Sequence, residues 1–150
     1  MKLAEALLIR ADQKKKILSL RERIAQNALV QEGDAPREDV AKLIAECFAV
    51  VAEQQALVLK INAANANAKL PDGRLLADVL AARDVLMQQH SILGHAVEAT
   101  HQETDRYSMR EIKWVPQIDV AAMQKQMEDL ARKIRELNVL VQATNWQVEI

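Results

Sequence analysis

The densest group of reactive side chains lies in one short segment between two predicted helices. Residues 105–114 combine both signs of charge with a phenol, a hydroxyl and an indole. Loops on rigid scaffolds carry binding residues more often than helix shafts do. The segment is therefore a candidate ligand or partner site, formed by Arg106, Tyr107, Ser108, Glu111, Lys113 and Trp114. A structural alternative stays open, in which the arginines bind helix-end carbonyls and the aromatic rings close the end of a bundle.

The sequence gives less support for a metal site or a nucleophilic residue. Glu98 and His101 form one Glu-x-x-His pair, which carboxylate-bridged di-metal bundles use twice together with inward glutamates on other helices. Here the pair occurs once, and the apolar rows of the other predicted helices contain no glutamate, so we expect no metal and no cofactor. Cys47 falls in an apolar row, which predicts a buried and inert thiol. No catalytic residue is identified, and no Gly-rich phosphate loop is present.

Two heptad rows define the elements that must position these groups. Steps of three and four residues keep side chains on one face of a helix, and rows of this length require a helical partner. The first row is Val40, Leu43, Cys47, Val50, Gln54, Leu57 and Ile61, and the second is Val120, Met123, Met127, Leu130, Ile134, Leu137 and Val141. They predict long helices and do not indicate any reaction or ligand.

Composition restricts the class of protein. The chain has 150 residues, which suits a single domain over residues 1–150, and half of them are apolar while 3% are aromatic. A formal net charge of −1 gives no general attraction for nucleic acid or for an anionic membrane. No apolar signal region or membrane span is apparent, and one cysteine cannot form an internal disulfide. We expect a cytoplasmic protein that binds neither nucleic acid nor membrane.

Helix-breaking and helix-capping residues divide the chain into four predicted helices, at about residues 2–28, 36–68, 75–101 and 119–145. The sequence Leu70-Pro71-Asp72-Gly73 is the clearest turn, and Asp119 is a predicted N-cap. The expected fold is mainly α, with four long helices in an antiparallel bundle with coiled-coil-like packing. The polar-apolar alternation near Trp114 also allows a short two-stranded β-ribbon, in which residues 29–31 pair with residues 112–114.

The apolar rows of the predicted helices are interrupted by polar residues or shift along the helix. If helices 2 and 3 pair about Pro71, His90 comes level with Gln54 and Gln55, which predicts a buried polar layer that fixes register. The apolar positions of helix 1 shift partway along it, so we expect its halves to contact different neighbours. A second row on helix 2, Ile44, Phe48, Val51 and Val58, predicts a wide buried face.

Several short motifs resemble those of a known family. They are residues 27–33, Asp72-Gly73-Arg74, Leu80-Ala81, Arg83-Asp84, residues 105–108, residues 111–113 through to Asp119-Val120, and Asn145-Trp146. In these motifs the chain is similar to small, bacterial, mostly helical proteins of unassigned function, some of which carry the label septicolysin. The resemblance implies long packed helices with a small extended element, and self-association. It supplies no substrate and no catalytic residue.

Three functions follow as hypotheses. The first is a cytoplasmic structural or interaction protein that forms homo-oligomers through its long helices, with an unknown external partner. The second is a small-ligand or enzymatic site in the segment from Arg106 to Trp114. The third, suggested by the septicolysin label, is a membrane-active protein, although no apolar hairpin able to enter lipid is present in the sequence.

Overall fold

The computed structural model describes residues 1–101 and 114–150. In these two stretches the chain forms four long α-helices: α1 spans Leu3–Asn27, α2 Val40–Asn67, α3 Leu76–Glu98 and α4 Val120–Gln147. The prediction of a mainly α protein with four long packed helices is confirmed. The only extended pairing among the described residues is two isolated β-bridges.

Side-chain caps determine where two of the helices begin. The Asp39 carboxylate accepts hydrogen bonds from the backbone N–H groups of Ala41 and Lys42, at 3.0 and 3.2 Å. α2 therefore begins at Val40, four residues later than the sequence suggested, because Asp39 provides the N-cap. The predicted cap at Asp119 is confirmed, since its carboxylate accepts from the N–H of Ala122 at 3.0 Å.

The predicted turn between α2 and α3 is present. Gly73 has φ +86°, and its N–H donates to the carbonyl of Leu70 at 2.9 Å. The N–H of Leu70 in turn donates to the carbonyl of Arg74 at 2.9 Å. This positive φ is accessible to glycine at no steric cost, which is why the turn occurs here.

The described residues group into two compact units, one of residues 1–76 and 142–150 and the other of residues 77–141. A single domain over the whole chain stays a prediction. In the first unit α1 packs antiparallel on α2 around a cluster of buried apolar residues. The members are Leu20, Leu43, Cys47 and Val50, with Ile17 and Ile24 packed against them. The predicted burial of the Cys47 thiol is therefore confirmed.

The chain ends pair with each other in the same unit. The N–H of Leu3 donates to the carbonyl of Val148, and the N–H of Ile150 donates to the carbonyl of Met1, both at 2.9 Å. Leu3 beneath this bridge is fully buried. The ribbon predicted between residues 29–31 and 112–114 cannot be compared, because residues 112 and 113 lie outside the described residues.

Burial differs from expectation on α1 and on α2. The two halves of α1 do contact different neighbours, residues 148–150 at Leu3 and α2 at Leu20. Burial along α1 follows one continuous row rather than a shifted one: Leu3, Ala6, Arg10, Gln13, Ile17, Leu20, Ile24 and Asn27. The apparent shift arose because polar Arg10 and Gln13 occupy the middle of the row. On α2, Ile44, Phe48 and Val51 are exposed, and of the second row only Val58 is half-buried.

The second unit contains most of α3 and α4. A Cβ built on Gly94 of α3 would lie 3.4 Å from Met127 Cε of α4, so the end of the Met127 side chain packs against α3 at this glycine. Val79, Val97, Leu130 and Val141 are its buried apolar residues. Within residues 1–101 and 114–150, no helix has both the length and the apolar composition that a membrane span requires.

Candidate interaction surface

Two ion pairs mark one side of the contact between α1 and α2. Lys16 Nζ lies 2.8 Å from Glu46 Oε1. Arg23 binds Glu38 through two hydrogen bonds, with Nε donating to Oε2 at 2.9 Å. Hydrogen bonds from these cations lower the pKa of both the Glu38 and the Glu46 carboxyl. This side of the helix pair is therefore polar and internally paired.

The opposite side of α2 is apolar and exposed. Ile44, Phe48 and Val51 follow steps of four and three residues, about 100° around the helix from the buried row of Leu43, Cys47 and Val50. Phe48 is 70% exposed. The residues of α2 that lie on this side between positions 41 and 55 carry no charge.

α1 contributes cations to this same side. At 100° per residue Lys14, Leu18 and Arg21 lie on the flank of α1 opposite Lys16 and Arg23. Leu18 is 56% exposed, and Lys14 and Arg21 are exposed without an ion-pair partner among the described residues. We define the open face as Lys14, Leu18 and Arg21 of α1 with Ile44, Phe48 and Val51 of α2. Its apolar centre and unpaired cations make it the candidate interaction surface.

Three polar residues, Arg10 and Gln13 of α1 and Gln54 of α2, interrupt the buried rows of this helix pair. Starting from the Lys16–Glu46 pair, Arg10 lies about 9 Å along α1 and Gln54 about 12 Å along α2 in the same direction. Gln54 Nε2 and Gln13 Oε1 are buried and have no hydrogen-bond partner within the described chain. Sequence reasoning found Gln54 but missed Arg10 and Gln13, because a search for apolar rows passes over polar members.

The unpartnered Gln54 amide predicts a stabilising substitution. Gln54→Met keeps the length of the side chain and removes a buried donor, whose desolvation costs about 1–3 kcal/mol. We expect the free energy of unfolding to rise by roughly 1 kcal/mol, which raises the melting temperature by about 2–4 °C in calorimetry. Gln26→Met, at an exposed position of α1 outside the open face, is the control and should change it little. A loss of stability in Gln54→Met would show that the amide has a partner, such as a buried water.

Whether Gln54 and Gln55 meet His90 stays a prediction, because His90 belongs to the other unit. There His90 is half-buried and lines an open groove of about 460 Å³ with Gln124, Met127, Glu128 and Ala131. No group of three or more His, Cys, Asp or Glu side chains in the described stretches could hold a metal ion.

The sequence-predicted site at the second connector is not brought together by the described residues. Arg106, Tyr107, Ser108, Glu111 and Lys113 all lie outside them. Trp114 is described, and its side chain is exposed. The six-residue site therefore stays a prediction.

Of the motif residues that the structure describes, Leu80-Ala81 and Arg83-Asp84 lie within α3, and Asn27 and Asp72-Gly73-Arg74 form a helix end and a turn. Asn27 Nδ2 donates to the carbonyl of Arg23 at 2.9 Å, while Asn27 Oδ1 accepts from the N–H of Glu38 at 3.1 Å. This one side chain ties the end of α1 to the segment that precedes α2. Asp72 accepts three hydrogen bonds from Arg74, which lower the pKa of its carboxyl. These residues have structural roles that need no bound ligand.

Comparison with known proteins shows which family the chain belongs to. The sequence model of a family of unknown function, DUF6847, matches residues 10–150. The chain belongs to this family. It is also similar to a conserved protein of unknown function from Corynebacterium diphtheriae, whose crystal structure is 33% identical in sequence with a TM-score of 0.88. The match covers 100% of this chain and 98% of that one. No curated protein matches the chain.

These matches support only part of the resemblance seen in the sequence. Membership of a helical family of unassigned function is confirmed for this DUF6847 protein. Neither match carries the septicolysin label, and both are of unknown function.

Proposed function

We propose that this chain is a structural or interaction protein that self-associates through the open face. The observation that supports the proposal is the exposure of Phe48 at the centre of a heptad-spaced, uncharged row. An exposed apolar patch on a helix pair is typical of a protein interaction site. Heptad spacing favours a helical partner over a small ligand, since knobs on one helix fit the holes of another.

The free energy expected from burying these exposed apolar side chains favours self-association. Covering an aromatic ring of this exposure stabilises a complex by roughly 1–2 kcal/mol in each copy. Leu18, Ile44 and Val51 add further apolar area around it. Because every 1.4 kcal/mol changes a dissociation constant about tenfold, covering Phe48 in both copies should lower the dissociation constant about 30-fold or more.

Phe48→Ser tests the proposal. The side chain is exposed, so the variant should keep its helix content and lose self-association, with a dissociation constant raised at least about 30-fold. Light scattering coupled to size exclusion measures the mass. Val139→Ser is the matched control, because Val139 of α4 is 69% exposed and lies off the open face. Equal masses for the wild type and both variants at every concentration would contradict the proposal.

The setting we propose is the cytoplasm, where a reducing environment suits the single, buried thiol of Cys47. Two further expectations from the sequence, that the protein binds neither nucleic acid nor membrane, belong to the same proposal.

A second candidate function concerns the connector, and the exposed indole of Trp114 favours it. An indole that packing does not use is available to a ligand or a partner. A ligand-dependent rise in melting temperature that is lost in a folded Arg106→Ala variant would support a site from Arg106 to Trp114. A rise that is unchanged in that variant would remove Arg106 from the site.

A further inference from the structure

Lys14 of α1 and Phe48 of α2 lie at the same height on the open face. The two helices are antiparallel, and the Lys16–Glu46 ion pair sets their register. Two residues before Lys16 and two residues after Glu46 both lead about 3 Å in one direction along the helix pair, and these steps reach Lys14 and Phe48. An unpaired cation and an exposed aromatic ring therefore share one level.

The same register sets the levels on the other side of this ion pair. Two residues beyond it, Leu18 and Ile44 are level, and both are exposed. Five residues beyond it, Arg21 is level with Ala41, which is also exposed. Each α1 residue of the open face is therefore level with an uncharged residue of α2.

Resting on the proposed self-association, we propose that two copies pair through their open faces about a two-fold axis parallel to the helices, with α1 of each copy on α2 of the other. A rotation about such an axis keeps every residue at its own height. Lys14 of one copy therefore meets Phe48 of the other, and Leu18 meets Ile44. The lysine ammonium is attracted to the face of the aromatic ring.

The distribution of charge favours this axis over the alternative. A two-fold axis perpendicular to the helices would lay α1 on α1 and α2 on α2. Lys14 and Arg21 of both copies would then face each other, and the open face contains no carboxylate to compensate them. The parallel axis lays the cations on α2, whose open side carries no charge between positions 41 and 55. Because juxtaposed like charges weaken a complex, the parallel axis is preferred.

The size of the contact indicates a reversible dimer. With α1 spanning Leu3–Asn27 and α2 Val40–Asn67, this register makes the two helices overlap over about 28 Å. Two helices, each about 10 Å wide, then give a footprint of about 560 Å² on each copy. The total of about 1,100 Å² is near the lower end of the range for specific interfaces, about 1,200–2,000 Å². We therefore expect a dimer that dissociates on dilution.

Crosslinking in mixtures tests the axis. Chains carrying Leu18→Cys, mixed one to one with chains carrying Ile44→Cys and treated with a short bis-maleimide, should give a covalent dimer. Neither chain alone should, because the two copies of one residue lie at opposite edges of the dimer. Leu8→Cys, at an exposed position of α1 off the open face, replaces Leu18→Cys as the control and should not crosslink. The native thiol of Cys47 is buried.

Substitution of Lys14 tests the contact by affinity. Lys14→Met keeps the length of the side chain and removes its charge, so the dissociation constant of the dimer should rise about two- to fivefold, whereas Lys14→Arg should preserve it. Lys15→Met, at an exposed position off the open face, is the control and should change it little. A perpendicular axis predicts the opposite sign, because Lys14→Met would then relieve repulsion and strengthen the dimer.

The outcomes separate this proposal from the one on which it rests. A crosslink confined to the mixture, together with a weaker Lys14→Met dimer, supports the parallel axis. If the wild type dimerises and Phe48→Ser does not, but the mixture gives no crosslink, self-association stands and the parallel axis is wrong. A stronger Lys14→Met dimer overturns the parallel axis in the same way. A wild type that is monomeric at all concentrations overturns both proposals.

Discussion

Leu20→Ala is expected to destabilise the protein by about 2–5 kcal/mol, the range for removing a buried leucine side chain. Leu20 is 1% exposed and packs with Leu43, Cys47 and Val50 in the core between α1 and α2. The alanine leaves a cavity between two long helices that are joined on either side of Leu20 by the Lys16–Glu46 and Arg23–Glu38 ion pairs, which limits how far the site can collapse. Urea unfolding followed by circular dichroism measures the free energy of unfolding.

Leu8→Ala is the matched control for that substitution. Leu8 lies on the same helix, is 60% exposed and lies outside the open face. Its substitution should therefore change the free energy of unfolding by no more than about 0.5 kcal/mol. Similar losses in the two variants would show that the row containing Leu20 does not form the core.

Removal of residues 148–150 is the second change with a large expected effect. It deletes both backbone hydrogen bonds of the terminal bridge and uncovers Leu3, which is fully buried. At about 1 kcal/mol for each hydrogen bond, with partial exposure of a leucine added, the loss should be about 2–4 kcal/mol. Thermal unfolding measures it, and hydrogen exchange should increase most at the start of α1.

Glu149→Gln removes the ion pair at the terminal bridge and keeps its backbone hydrogen bonds. Lys2 Nζ lies 2.8 Å from Glu149 Oε1, which lowers the pKa of that carboxyl, but both groups are solvent-accessible. The substitution should change stability far less than the deletion does. If Glu149→Gln reproduced the full loss, the side-chain pair rather than the backbone bridge would hold the termini together.

Local chemistry explains which features could be predicted from the sequence. Gly73 and Asp119 act through their nearest neighbours, so the turn and the cap follow from residue type alone. The heptad row of α2 predicts burial of Cys47 and Val50 because the period of a helix is fixed. These features need no knowledge of distant residues.

Features that depend on distant residues were missed. Nothing in the sequence near Lys2 indicates that it pairs with Glu149, and the polar residues Arg10 and Gln13 hid the true row of α1. Phe48 was predicted to be buried, since an apolar residue in a regular row is usually covered. Its exposure is the observation that most changes the functional interpretation, because it converts a predicted core residue into a predicted contact with a second copy.

The central claim is that this protein associates with itself. Sedimentation equilibrium of the unmodified chain, across a wide range of concentrations, tests it most directly. We predict a weight-average mass that rises with concentration from the 16.8 kDa of the monomer to twice that value. A mass that stays at 16.8 kDa at every concentration would contradict the claim.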